Sequence, residues 1–403
     1  MSLTFLHLKN IEEMNHIEFL RFLAKGNSTF FDIPKSQQES FLQTLGEPKN
    51  DIERSYKQYL CQNFFVSKWK VCLFNIVSLL LYFPVLIGLL LLGVRIRKKN
   101  YIEAFTIDLK GMEEIIPESL YKVYNIQMNR WSVKGGFRTS DIPYLLNIFF
   151  HHLQSGYFSL KTMIKISQYS QLISMYYPRC IIAHSEYSFS SSILTDYCHR
   201  RGVKHINVQH GEKLYNIRDS FFHFDECYVW HEHYKQLFVQ MGAEPNQFRV
   251  YSPNSLFIDV NKYYNQSSFA NYKYYMGHIS NEEEMKSLVD SMRFAKQEGK
   301  SVRFRYHPRH ENMTLIYKYL SDDEIEDPHQ VSILESVASC ETAVGAYSTV
   351  LSQAYFSGKK VLLDDVTYKK QQEKLSALMY LLSTVECSKL SKYQNDFISQ
   401  KTV

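Results

Sequence analysis

Three short clusters carry residues able to handle a proton or a phosphate. The first is Asn207-Val208-Gln209-His210-Gly211, at the end of a run that reads as a strand. A polar group at a strand end projects beyond the sheet, and Gly211 permits a sharp turn out of it. A histidine so placed can act as a general base near neutral pH, or it can be a structural side chain bonded within the turn. The second cluster is Arg303-Phe304-Arg305-Tyr306-His307-Pro308-Arg309-His310. Arg303 and Arg305 share one face of a strand. At its end His307 and Arg309 can meet an anion, with charge-assisted bonds from Arg305, His307 and Arg309 suited to phosphate oxygens. The bland alternative is a solvated basic edge. The third is Gly345-Ala346-Tyr347-Ser348-Thr349-Val350, between a strand and a helix. Free N–H groups at such a helix start bind phosphate, and the Ser348 and Thr349 hydroxyls add donors. Ser348 can also be an ordinary N-cap needing no ligand. Gln353 or Tyr355, one turn on, can touch the rest of a nucleotide. The chain has no G-x-x-x-x-G-K-[ST] and no G-x-G-x-x-G, so P-loop and hydride-transfer chemistry lack their signatures.

The order strand–Q-H-G, strand–R-x-H-P-R, G-x-x-S-T–helix–G-K-K-V-L-L resembles the GT-B glycosyltransferases of bacterial surface-polysaccharide synthesis. It is most similar to capsule-synthesis proteins and to the CDP-glycerol glycerophosphotransferases of teichoic acid assembly. The resemblance covers about Pro178 to Asp365. It implies a base that activates the acceptor at His210, and donor-phosphate ligands at His307, Ser348 and Thr349. Sialyl- and Kdo-transferases, which use CMP-sugars, also carry the H-P and Ser/Thr pairs but use a carboxylate base. Glu186 in His184-Ser185-Glu186 is therefore a second candidate. The function implied is transfer of a sugar from a nucleotide-sugar (CMP- or UDP-linked) to a capsule, lipopolysaccharide or O-antigen glycan or its lipid-linked precursor. The alternatives are a CDP-alditol phosphotransferase and a non-catalytic membrane adaptor of a glycan export complex. No cofactor is expected beyond the donor itself. Asp364-Asp365 and Asp322-Asp323 lack D-x-D spacing, so no metal is expected. Arg305, His307, Arg309 and a helix start replace it. His231-Glu232-His233 reads as an exposed helical stretch, since alternate helical residues point different ways.

The elements that must position these clusters alternate. Strands are expected at Leu3–Leu8, Ala104–Leu109, Pro178–Ala183, Val203–Val208, Phe224–Trp230, Phe248–Tyr251, Tyr272–Met276, Val302–Tyr306, Thr342–Ala346 and Lys360–Leu363. Helices are expected at Ile11–Ala24, Ser36–Leu45, Asp51–Phe65, Tyr144–Leu153, Leu160–Tyr177, Ser188–Arg200, Asn281–Glu298, Leu315–Leu320 and Thr349–Ser357. Strands alternating with helices give parallel sheets covered on both faces, with ligands beyond the strands' carboxyl ends. The fold class expected is α/β, GT-B-like: two doubly wound Rossmann-type domains facing a cleft. The acceptor-side domain is residues 1–245 with an insertion at 71–99, and the nucleotide-binding domain is 246–403.

One stretch departs from this pattern. Val71 to Val94 holds no charge, with Lys68 and Lys70 before it and Arg95, Arg97, Lys98 and Lys99 after. Wholly helical, it is long enough to cross a ~30 Å hydrocarbon core. Pro84 and Gly88 near its centre allow a kink or a re-entrant turn. Basic flanks on both sides suit a monotopic hairpin or an interfacial helix better than a single span. An anionic membrane surface is thus an expected partner, at the cytoplasmic face of a bacterial inner membrane. The competing reading is a buried core helix.

Composition sets the outer limits. The 403 residues carry 46 Lys+Arg against 41 Asp+Glu, a net +5 too mild and too dispersed for nucleic-acid binding. Seven scattered cysteines without a C-x-x-C pair suit neither a zinc site nor a disulfide framework, and fit a reducing compartment. The stretch Met1–His16 lacks the charged and apolar regions of a signal peptide and is not read as one.

Overall fold

The computed structural model describes residues 31–107, 113–128, 135–279, 281–308, 312–385 and 387–401. The expected strand Leu3–Leu8, the helix Ile11–Ala24, and Arg309 lie outside the described residues. Among the described residues the strands form two parallel six-stranded sheets. The first takes β1 (Ala104–Ile107), β2 (Ile126–Met128), β3 (Cys180–Ala183), β4 (Lys204–Val208), β5 (Glu226–Val229) and β6 (Phe248–Val250), in the order β2-β1-β3-β4-β5-β6. The second takes β7 (Ala270–Tyr275), β8 (Val302–Arg305), β9 (Ile325–Glu326), β10 (Cys340–Gly345), β11 (Lys360–Leu363) and β12 (Ser388–Lys389), in the order β12-β11-β10-β7-β8-β9. Two parallel sheets with helices between their strands are the α/β arrangement expected from the alternation of strands and helices. Because β6 pairs with β5, the first sheet extends a few residues past the expected boundary at 245/246.

The strands form where apolar side chains can bury on both faces. In β3 all four residues are buried; Ile181 packs toward one core, Cys180 and Ile182 toward another. Strand order reverses between β1 and β3 in the first sheet and between β7 and β10 in the second. A ligand has most room at such a reversal, beyond the carboxyl ends. One apolar core joins the halves. Leu214, Phe222, Trp230 and Tyr234 from the first pack with Val337, Leu351, Leu375 and Tyr380 from the second. Backbone and side-chain bonds cross it too: Tyr215 N–H donates to Leu378 O at 2.7 Å, and His233 Nε2 lies 2.7 Å from Met379 O. His233 is therefore buried between the domains rather than exposed, a correction to the helical-wheel reading.

The apolar stretch is a single continuous helix, α1 (Lys68–Val94), which runs through Pro84 without a re-entrant turn. By length and composition it could cross a membrane. Its inner stripe, Ser78, Tyr82, Leu86 and Leu89, is buried on the first domain. There it lies along α2 (Gly156–Tyr176). A Cβ on Gly156 would stand 2.4 Å from Asn75 O, and one on Gly93 would stand 1.9 Å from Phe137 O. Only glycine lets these backbones approach so closely. Asn75 is satisfied inward, its Oδ1 accepting from Tyr59 OH at 2.9 Å and from Tyr157 N–H at 3.1 Å. The helix is thus neither wholly buried nor free of the domain.

Candidate active site between the sheet edges

At the end of β4, Gln209 fixes the turn. Its Oε1 accepts from Trp230 N–H at 3.2 Å and its Nε2 donates to Gly211 O at 3.1 Å. Gly211 sits at φ +73°, a backbone setting that side chains with a Cβ avoid. His210 emerges from this turn exposed, its ring centroid 5.6 Å from that of His184 at the end of β3. Desolvation holds its pKa below the usual histidine range, His184 and Lys213 add to that, and Glu186 opposes it. The imidazole is therefore neutral, and able to accept a proton, at neutral pH.

Glu186 is arranged otherwise. It is 1% exposed, paired with Lys213, and accepts from Asn207 Nδ2 at 3.1 Å. Burial pushes its pKa up, but the Lys213 ammonium outweighs burial and holds the carboxyl below its ordinary value. A carboxylate enclosed and neutralised in this way is poorly placed to take a substrate proton. The geometry assigns it to holding the loop that carries His210. Asp219 completes the cluster, its pKa pushed up to about 6 by burial.

Glu212, which directly precedes Lys213, was not singled out from sequence. Glu212 Oε2 accepts from Tyr234 OH at 2.8 Å and from Ser352 Oγ at 3.3 Å. Ser352 belongs to α3 (Thr349–Phe356), which starts at the third cluster, so one carboxyl ties the Q-H-G loop to the opposite domain. Its Oε1 is buried with no hydrogen-bond partner among the described residues. Burial pushes the Glu212 pKa up to about 7. The folded chain keeps a proton that the unfolded chain gives up, so Glu212 costs stability progressively as pH climbs from about 4.5 to about 7. Glu212→Gln keeps an acceptor for both hydroxyls and removes the charge. It should be as stable as the parent near pH 4 and more stable by roughly 3 kcal/mol at pH 8. Denaturant titration at both pH values measures this, and an equal difference at the two would refute it.

In the second sheet the cluster residues divide. Arg305 points into the sheet, donating to Glu326 Oε1 at 2.9 Å, with Lys273 and Ser336 on the same carboxylate. This is a correction to its expected phosphate role, because a buried guanidinium with its own carboxylate has no charge to spare for a ligand. His307, beyond the end of β8, is exposed. Ser348 caps α3, its hydroxyl accepting from Val350 N–H at 3.1 Å, and Thr349 is exposed beside it. Gln353 donates to Ser255 O at 2.8 Å and so braces the interdomain crossing instead of reaching toward a nucleotide. The strand reversal adds a residue that sequence reading missed. Gly277-His278 follows β7, with His278 exposed and open space around Gly277. A Cβ on Gly345 in the adjacent β10 would meet Tyr275 O at 3.0 Å.

No group of three or more His, Cys, Asp or Glu able to hold a metal occurs among the described residues. Asp364 is committed to structure: it accepts from Tyr274 OH and from the N–H groups of Val366 and Thr367 at 2.9 and 2.8 Å. The arrangement thus offers a neutral imidazole on one edge. On the other it offers two exposed histidines, a helix start and a threonine hydroxyl.

No family model matches the chain, and no curated protein matches it. Among solved structures, the chain is similar to the UDP-GlcNAc 2-epimerase of Methanocaldococcus jannaschii in complex with UDP-GlcNAc and UDP, at 15% identity and a TM-score of 0.38 over 66% of this chain and 83% of that one. It is similar to the glycotransferase of kitacinnamycin at 8% identity and a TM-score of 0.42, over 75% of this chain and 90% of that one. Anabaena HepE in complex with UDP and glucose shows 8% identity and a TM-score of 0.35, over 75% of this chain and all of that one.

Proposed function

We propose that the protein is a GT-B-type glycosyltransferase that moves a sugar from a nucleotide-activated donor onto a bacterial surface glycan or its lipid-linked precursor, at the cytoplasmic face of the inner membrane. One observation supports this reading: Glu212, two residues after His210, accepts from Ser352 of α3, which ties the loop carrying the proposed base to the helix that begins at Ser348 and Thr349. In the reaction His210 takes the acceptor hydroxyl proton as that oxygen attacks the anomeric carbon. The bond from that carbon to the donor phosphate breaks, and the nucleotide leaves with the electron pair. His307, His278, the Thr349 hydroxyl and the positive dipole end of α3 stabilise the charge on the departing phosphate. Glu186 and Lys213 position the loop, and Arg305 braces the sheet.

The test is calorimetric titration with CMP, CDP, UDP and GDP, beside the same titrations on His307→Ala. One of these nucleotides should bind, and the variant should bind it about ten- to a hundredfold more weakly, the loss expected of one charge-assisted bond. An unchanged affinity would remove His307 from the phosphate site and take the main support from this function.

A further inference from the structure

The outer side of α1 is apolar from end to end. Leu73, Ile76, Leu80, Phe83, Ile87 and Leu91 are all exposed, Leu80 at 73% and Leu91 at 65%. Phe83 packs on Phe149, which carries the patch on to the exposed Phe150. Soluble monomers rarely leave so long a contiguous apolar face in water. At ~1.5 Å per residue the helix is roughly 40 Å long.

Three occupants fit an apolar face, and the surroundings select one. Crossing a bilayer would pull Tyr82, Leu86 and Leu89 out of the domain core and break the seats of Gly156 and Gly93. A second copy would set like charges together. No Asp or Glu occurs between Ser55 and Ile102, and both ends of α1 are basic, so parallel and antiparallel pairings alike oppose cations. An anionic bilayer lying along the helix meets neither obstacle. Trp69 at one end and Tyr101 and Tyr177 at the other are exposed, the residue types that settle at a membrane–water boundary. At the carboxyl end of α1, Arg95, Arg97 and Lys99 line a cavity of about 370 Å³ with Gln171, Leu92 and Met175. A lining of three cationic residues together with Leu92, Ile96 and Met175 matches a phosphate joined to the start of a lipid. Lys99 N–H donates to Met175 O at 2.8 Å, which fixes this rim to α2.

We propose that α1 lies flat in the interface of an anionic bilayer, outer stripe in the acyl region, and that the Arg95–Arg97–Lys99 cavity holds the phosphate of a lipid headgroup. This rests on the membrane location proposed above and adds an orientation and a binding site. The test is flotation of the full chain with vesicles of phosphatidylcholine alone or mixed with phosphatidylglycerol. The combined variant Arg95→Gln, Arg97→Gln, Lys99→Gln should bind mixed vesicles on the order of a hundredfold more weakly than the parent. Removing the same charge elsewhere, at Lys360, Lys369 and Lys370, should change binding little. Inorganic phosphate, matched against chloride for ionic strength, should not displace the parent. A depth-sensitive label at Leu73→Cys, Leu80→Cys or Leu91→Cys should report one common shallow depth.

The failures are distinct. A parent chain that binds no vesicle defeats the membrane location and this proposal with it. Binding that survives the triple glutamine variant leaves the location standing and overturns the headgroup site, as does displacement by inorganic phosphate. A depth maximum at Leu80 overturns the flat orientation. If Leu80→Ser, Ile87→Ser, Leu91→Ser turns a dimer into a monomer by light scattering, the face belongs to a second copy and the proposal falls.

Discussion

His210→Ala should lose about 10²–10⁴ in turnover while binding the donor nucleotide almost as tightly as the parent, because a general base acts on the acceptor and leaves the phosphate alone. The imidazole is exposed, so its removal should leave the melting temperature nearly unchanged. Initial rates at saturating donor, beside calorimetric affinity, separate the two effects. A variant that loses affinity and rate together would place His210 on the donor, and one that keeps its rate would return it to a structural turn residue.

The largest effect on stability should come from Lys213→Met. It leaves Glu186 buried beside Asp219 without a counter-charge, and breaking one partner of a buried pair costs about 3–5 kcal/mol. Lys213→Met combined with Glu186→Gln should recover much of that loss, since no charge remains to be solvated. Equilibrium unfolding of the parent, both single variants and the double variant closes the cycle. The same series decides the competing assignment. If Glu186→Gln unfolds like the parent yet loses turnover by a hundredfold or more, Glu186 is the base and His210 only positions the acceptor.

Much of this architecture was legible because strands of parallel sheets are short apolar runs and their helices end at glycines. Cys180–Ala183 and Lys360–Leu363 could be placed from type alone. Ile325–Glu326 and Ser388–Lys389 could not, because edge strands of two residues carry no periodicity. Asn281–Glu298 reads as one helix, but the chain turns at Met292, where two helices of ten and five residues meet. Type and position singled out His210, His307 and Ser348, and the structure places each of them after a strand. Arg305 misled because alternation tells which residues share a face and not which face is enclosed; its partner Glu326 lies 21 residues on, on a strand with no sequence signal. Glu212 was hidden for a related reason. Its partners Tyr234 and Ser352 come from two domains, and only the assembled interface makes an ordinary Gly-Glu-Lys run unusual.

The apolar core shared by the two halves has a consequence for how this chain can be taken apart. Severing it near residue 255 would strip Trp230, Tyr234 and Leu237 from one fragment and Leu375, Tyr380 and Leu381 from the other. Neither piece should be soluble alone, although the two expressed together should reassociate. Grafting a foreign second half onto this first half would fail at the same seam unless the seam residues travelled with it. In the proposed reaction, substrate should enter by small sliding of the packed surfaces, because swinging the halves apart would wet their shared core.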